Sequence, residues 1–128
     1  MKLLLDTHIW IWLLQKSERL RPTTFRVLSD TTNELWVSPV STWEAITLHR
    51  KGRVTLGGDL TAWLSQAVKG VQEAHLTHEI ALASSTLQMH GDPADRLLVA
   101  TAQVLDLTLV TADTKLLGLG NIKTMANR

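Results

Sequence analysis

The sequence contains no cysteine and no tyrosine among its 128 residues. Without cysteine, disulfide bonds and thiolate metal sites are excluded. An excess of either sign of charge is also lacking: the formal net charge is +1, which neither indicates nor excludes a nucleic-acid partner. The apolar stretch Leu3–Leu14 is too short to span a bilayer and has no basic leader. We therefore expect neither a signal peptide nor a membrane anchor, and a cytoplasmic location.

The length and composition favour one compact folded domain over residues 1–128. Hydrophobic residues make up 45% of the chain, which is enough to build a core. The glycine- and proline-containing loops near residues 20–23, 51–59 and 90–93 are too short to act as linkers between domains.

Short apolar runs alternate with helical patterns along the chain. This alternation predicts an α/β fold with a mostly parallel sheet flanked by helices. The predicted strands are Leu3–Leu5, Leu35–Pro39 and Leu107–Asp113, with a brief strand at "AHLT" (74–77) and an edge strand at "NIKTM" (121–125). The predicted helices cover residues 8–15, 23–30, 41–52, 59–70, 77–90 and 92–106.

Several acidic residues fall where such a fold places its functional crevice, beyond the carboxyl ends of the strands. Asp6 directly follows the first predicted strand, and Asp113 lies two residues beyond the apolar run "LTLV". Glu44 lies in the first turn of the helix after the second strand, and Asp95 in the first turn of the 92–106 helix. The pattern does not establish whether this last helix begins at the same edge of the sheet.

Each of these acids also has a purely structural interpretation. Asp6 and Asp113 could cap helices, Glu44 could form a capping box with Ser41, and Asp95 could stabilise a helix dipole. As a group, however, clustered carboxylates repel one another unless a cation lies between them. Oxygen ligands suit Mg²⁺ or Mn²⁺ better than zinc.

Four segments, in their order and spacing, resemble the signature segments of PIN-domain ribonucleases, and most closely the VapC toxins of VapBC toxin–antitoxin pairs. They are "LLLDTHIWIWLL", "VSPVSTWEA", "DPADRLLVATA" and "LTLVTAD". The resemblance extends from Leu3 to about Leu117 and implies a PIN-like fold. It also implies hydrolysis of RNA phosphodiester bonds by a metal-dependent endoribonuclease.

Carried over residue by residue, the resemblance places the family's metal-binding catalytic acids on Asp6, Glu44, Asp95 and Asp113. The implied cofactor is Mg²⁺ or Mn²⁺, with one or two ions. Thr111 matches a supporting hydroxyl beside the last acid, although a plain strand threonine is an equal alternative. Asp92 is interpreted mainly as a helix cap with a supporting role.

The implied partners are RNA, a VapB-like antitoxin and a second copy of the chain, with a dimer or a larger assembly left open. Arg96, Arg50 and Lys51 are candidates for phosphate contacts, although a solvated helix end or an ion pair explains them too. The first helix is apolar nearly all round, so Trp10, Trp12 and Trp43 are candidates for partner surfaces.

The alternative of a different class is a PIN-like module that binds protein or RNA without cutting it. The intact set of four acids favours the nuclease. A divalent-ion titration combined with an RNA cleavage assay would separate the two.

Overall fold

The computed structural model describes residues 1–128 as one five-stranded sheet with seven helices. The strands are β1 (Lys2–Leu5), β2 (Glu34–Val37), β3 (Gln72–Glu73), β4 (Thr108–Thr111) and β5 (Lys123–Ala126). The helices are α1 (Thr7–Gln15), α2 (Pro22–Ser29), α3 (Pro39–Arg50), α4 (Leu60–Ala67), α5 (His78–Ser85), α6 (Pro93–Leu105) and α7 (Thr114–Leu117). All strand pairs are parallel, which confirms the predicted fold class.

The strand order, β3-β2-β1-β4-β5, creates a reversal beside the central strand. From β1 the chain builds outward to β3, crosses back over the sheet to β4, and then continues outward to β5. In open α/β sheets the functional crevice lies at such a reversal, beyond the carboxyl ends of the strands. Here the reversal lies between β1 and β4, the two strands that Asp6 and Asp113 follow.

Strand β1 separates two layers of core. Leu3 and Leu5 face one layer, which also contains Ile9 of α1, whereas Leu4 faces the other layer with Leu98 of α6. All three leucines of β1 are fully buried, as expected for a strand covered on both faces. No helix combines the length and apolar character that crossing a bilayer would require.

The start of α3 differs from the prediction. Ser38 caps this helix by accepting a hydrogen bond from the Val40 N–H at 3.0 Å, and Pro39 occupies the first helical position, where its missing N–H costs nothing. Ser41 is instead fully buried inside the helix. The predicted capping box between Ser41 and Glu44 is therefore wrong.

The brief strand predicted at residues 74–77 is also misplaced. The strand is Gln72–Glu73, and the Ala74 N–H makes the next contact with the carbonyl of Val37 at 2.9 Å. The predicted edge strand near residues 121–125 is confirmed as β5, and Asp92 caps α6 as predicted.

Candidate active site

Asp6 lies at the junction of β1 and α1 and is held from three sides. Its backbone N–H donates to the carbonyl of Val110 at 3.0 Å, which continues the sheet by one residue. Its carboxylate Oδ1 accepts from the Thr7 N–H at 2.8 Å and so caps α1. The other oxygen, Oδ2, accepts from the Thr111 hydroxyl at 2.6 Å. The side chain is thereby fixed at the reversal of the sheet.

The carboxyl group of Asp6 is costly to ionise in this position. Burial raises the pKa of Asp6, hydrogen bonds from Thr111 and Thr7 oppose this increase, and the charge on Asp95 adds to it. No lysine or arginine forms an ion pair with Asp6.

Glu44 projects from α3 toward the same edge of the sheet. Its carboxylate accepts a hydrogen bond from the hydroxyl of Thr7, the residue next to Asp6. Burial raises the pKa of Glu44, the Thr7 hydrogen bond opposes the increase, and the charges on Asp6, Asp95 and Asp92 each add to it. Four acids from three separate parts of the chain therefore interact electrostatically.

Asp95 and Asp92 show that α6 also begins at this edge, which the sequence pattern had left open. Asp92 caps α6 by accepting from the Asp95 N–H at 3.0 Å. The Asp95 carboxylate contacts Nε2 of His90 at 2.8 Å, and both side chains are partly exposed.

Asp113 is connected to the other acids through its backbone. Its carboxylate accepts from the Lys115 N–H at 2.8 Å and caps the short α7. Its own N–H donates to the Thr111 hydroxyl oxygen at 3.0 Å, and the same hydroxyl donates to Asp6. The buried Thr111 thus links the end of β4 to Asp6, whereas the charge of Asp113 is not among the main causes of the pKa shifts of Asp6 or Glu44.

The role of Asp6, Glu44, Asp95 and Asp113 as metal ligands stays a prediction. No group of three or more acidic or histidine side chains is close enough to hold a metal ion. The donor chemistry nevertheless fits a hard divalent ion, because Asp6 and Glu44 offer carboxylate oxygens whose negative charge is disfavoured by burial and by neighbouring acids. The ligand atoms are therefore of the type that such an ion prefers, but the side chains are not close enough together in this structure to surround it.

Arg96 has a structural role that the sequence did not reveal. Its guanidinium donates to the carbonyls of Ser84, Leu87 and Met89 at 2.7, 3.2 and 3.2 Å, and it forms no ion pair with Asp95. Arg96 therefore ties down the segment between α5 and α6. The alternative of an ion pair at the helix start is therefore wrong, and a phosphate contact by Arg96 stays a prediction.

The other two basic candidates lie further from the acids. Arg50 ends α3 and Lys51 follows it, and both side chains are exposed. Arg50 lies six residues beyond Glu44, which corresponds to about 9 Å along the helix axis.

The three tryptophans occupy different environments. Trp10 is fully buried and its ring packs 5.4 Å from that of Trp63, so its predicted place on a partner surface is wrong. Trp12 is half-buried and packs 5.9 Å from the ring of His8. Trp43 is 64% exposed and lines an apolar groove of about 500 Å³ between α3 and α4.

Two residues that contact the acids were missed by the sequence analysis. Thr7 bridges Asp6 and Glu44, and its position directly after Asp6 at a strand–helix junction was an available signal. His90 contacts Asp95 from a loop, and nothing in the sequence pattern indicates this contact.

Fold and site together define an α/β protein with an acidic crevice at the strand reversal of a parallel sheet. The family model described as "PIN domain" matches residues 3–121, and the chain belongs to the PIN domain family. This confirms the recognition made from the four sequence segments.

Known relatives agree with this assignment. The chain is 32% identical over 115 residues to Ribonuclease VapC22 of Mycobacterium tuberculosis, covering 88% of each protein. A VapBC2 structure from Rickettsia felis, bound to a promoter DNA fragment, has a TM-score of 0.73 at 15% identity and covers 98% of both chains. A toxin–antitoxin complex from Klebsiella pneumoniae has a TM-score of 0.72 at 20% identity, covering 98% of this chain and 97% of that one. The two structures confirm the PIN-like fold.

Proposed function

We propose that this chain is the toxin of a type II toxin–antitoxin pair and acts as a divalent-metal-dependent endoribonuclease. The observation that carries the proposal is the partly buried Asp6 at the strand reversal, surrounded by further acids and without a basic partner. The relationship to a protein named as a ribonuclease supports the type of reaction.

In this proposal, Asp6, Glu44, Asp95 and Asp113 hold one or two Mg²⁺ or Mn²⁺ ions. When bound, such an ion would supply water activation and would stabilise negative charge on the phosphate. Thr7 and Thr111 orient the carboxylates of Glu44 and Asp6 through their hydroxyl groups. Asp92 supports the site by fixing the start of α6, and Arg50 and Lys51 contact RNA further along α3.

The test is RNA cleavage by the purified chain with and without added Mg²⁺ or Mn²⁺. We expect cleavage only with the ion, and loss of cleavage in Asp6→Ala. The matched control is Asp30→Asn, which changes an exposed aspartate that precedes β2 at the opposite edge of the sheet. Equal cleavage by the parent and by Asp6→Ala would refute the site assignment.

A VapB-like antitoxin is the proposed protein partner. The groove beside Trp43 offers it an apolar surface next to Glu44, and Val68 on the opposite wall is also exposed. Expression of the chain alone should halt growth, and co-expression of the cognate small protein should restore it. Trp43→Ala should weaken this rescue, whereas Leu82→Ala, which changes an exposed leucine of α5, should not.

A second copy of the chain, with Trp12 as a candidate contact, is proposed as a further partner.

One observation favours a second candidate function, a PIN-like module that binds without cutting. This observation is the lack of a ready-made group of three metal ligands. Thermal unfolding with increasing Mg²⁺ or Mn²⁺ distinguishes the two. The nuclease should be stabilised by the ion in the parent but not in Asp6→Asn, whereas the binding module should show no ion effect in either.

A further inference from the structure

A group of unpaired cations follows α1. Residues 16–26 contain four basic residues and one acidic residue, and the four cations Lys16, Arg19, Arg21 and Arg26 are exposed. None of them forms an ion pair with a carboxylate. We call this surface, together with Phe25, the basic groove. The charge is thus free to meet a partner of opposite sign.

The groove has a concave floor and an exposed aromatic ring. Lys16, Phe25 and Arg26 line a cavity of about 520 Å³ together with Leu20 and Pro22. Phe25 is 42% exposed, although it is the only phenylalanine in the chain. Exposed aromatic rings beside cations provide a stacking surface for unpaired bases and counter-charges for phosphates.

Asn127 ties this loop to the edge of the sheet that carries the acids. Its N–H donates to the carbonyl of Thr111 at 3.2 Å, so Asn127 lies just beyond the carboxyl end of β5. Its side chain accepts from the Arg21 N–H at 2.9 Å and donates to the carbonyl of Arg19 at 2.8 Å. The loop is therefore fixed by hydrogen bonds that involve residue 127.

The distance to the acidic site follows from the sheet. Strands β1, β4 and β5 are neighbours in that order. Asn127 follows β5 and Asp6 follows β1, so the two residues are two strand spacings apart, or about 10 Å. The Arg19–Arg21 part of the basic groove, which Asn127 holds, thus lies at the edge of the sheet that carries the acids, within reach of an extended polyanion.

We propose that the basic groove binds single-stranded RNA that extends from the acidic site, with a base stacked on Phe25 and phosphates held by the surrounding cations. This inference rests on the proposed nuclease function and adds to it a surface for the substrate. An RNA duplex is disfavoured because its bases are already stacked and cannot cover an aromatic side chain.

The test measures the affinity of a single-stranded RNA oligonucleotide at several salt concentrations, using the uncleaving Asp6→Asn chain as the parent. Each lost phosphate contact reduces the slope of log K against log salt by about 0.7. Arg21→Gln/Arg26→Gln should therefore reduce the slope by about 1.4. The matched control, Lys2→Gln/Lys69→Gln, removes two exposed charges away from the groove and should leave the slope unchanged.

Substitutions of Phe25 provide an independent test of the basic groove. Phe25→Leu should weaken RNA binding by roughly tenfold because the stacking face is lost, whereas Phe25→Trp should retain the affinity of the parent. Thermal unfolding of each variant checks that the fold is intact. If Phe25→Leu binds RNA as tightly as the parent, or the arginine pair leaves the slope unchanged, the inference is wrong.

The outcomes also separate this inference from the proposed function. Metal-dependent cleavage that requires Asp6, with RNA affinity unaffected by the groove variants, would overturn the groove alone. RNA binding through the groove by a chain that never cleaves RNA would overturn the nuclease alone. Groove variants that lose a VapB-like protein but retain RNA would assign this surface to a protein instead.

Discussion

Asp6 performs two structural tasks with its two carboxylate oxygens. One oxygen caps α1 and the other accepts a hydrogen bond from Thr111. Asparagine is a good helix cap, and its amide can donate to the Thr111 hydroxyl oxygen in place of the present bond. Replacing Asp6 with asparagine therefore separates the effect of the charge from that of the cap, which alanine cannot do.

Asp6→Asn should stabilise the metal-free chain at neutral pH. Because the folded pKa is raised, the folded state retains its proton over a range where the unfolded state has lost it. The free energy of unfolding therefore falls as pH rises from the ordinary pKa of an aspartate through the raised one. Thermal unfolding from acidic to neutral pH should show the variant gaining most at neutral pH, and the gain vanishing at acidic pH.

The direction of this effect can be checked against other acids. Glu44→Gln should change stability in the same direction but less, since Glu44 is only half-buried and its pKa is also raised. Asp30→Asn should bring no such gain, because hydrogen bonds from Thr32 lower the pKa of Asp30. If Asp6→Asn is less stable than the parent at every pH, the carboxylate is not a source of electrostatic strain.

Thr111→Val should destabilise the chain by about 1–3 kcal/mol, since it leaves the Asp113 N–H and a partly buried Asp6 oxygen without their partner. Thr111→Ser keeps the hydroxyl and should lose less. Urea unfolding measures both changes. If Thr111→Val were as stable as the parent and only Thr111→Ser lost stability, the methyl group, not the hydrogen bonds, would determine the stability here.

Among the elements, the segment between α5 and α6 is the one most dependent on a single side chain. The carbonyls of Leu87 and Met89 in this segment, and that of Ser84 near the end of α5, accept from Arg96. Arg96→Lys keeps the charge but cannot reproduce the fork of donors. We expect faster amide hydrogen exchange in residues 84–92 of this variant, with the exchange of β1 and β4 unchanged.

The same variant separates structure from RNA contact. If Arg96 only holds the segment, Arg96→Lys and Arg96→Met should speed exchange there and leave the salt slope of RNA binding unaltered. A slope that decreases in Arg96→Met but not in Arg96→Lys would identify Arg96 as a phosphate contact.

Element types were predictable from the sequence, whereas some boundaries were not. Leu3–Leu5 could be recognised as a buried strand because it is a continuous apolar run bounded by an acid. At α3, two capping patterns overlapped: Ser38–Pro39 and Ser41 with Glu44. The structure uses the first, because proline fits the first helical position and Ser41 is needed in the core beside Thr7.

At the scale of the whole molecule, the sequence pattern predicted the placement of only those site residues that follow strands. Asp6 and Asp113 follow strands, so their edge of the sheet could be inferred from the parallel fold. The position of Asp95 depends on how α6 crosses back to β4. Asn127 acts through contacts with Arg19 and Arg21 that are distant in sequence, and His90 and Arg96 act through contacts across an irregular loop. Such contacts depend on tertiary packing, which local periodicity does not encode.

The central position of β1 leads to a prediction about cooperativity. Leu4→Ala should cost about 2–5 kcal/mol, since Leu4 is fully buried in the layer against α6. Tryptophan fluorescence, which includes buried Trp10 in the opposite layer, should report the same unfolding midpoint as far-UV circular dichroism. Leu82→Ala, at a position that is 72% exposed, serves as the control. Two separate midpoints would contradict the prediction.

The alternation of Leu3, Leu4 and Leu5 across β1 also bears on how such a chain is removed from a cell. Neither half of the molecule can keep its apolar surface covered once this strand leaves the sheet. Loss of β1 from the sheet should therefore unfold both core layers together and expose the whole chain to proteases. No truncated fragment with a working acidic crevice should accumulate during turnover.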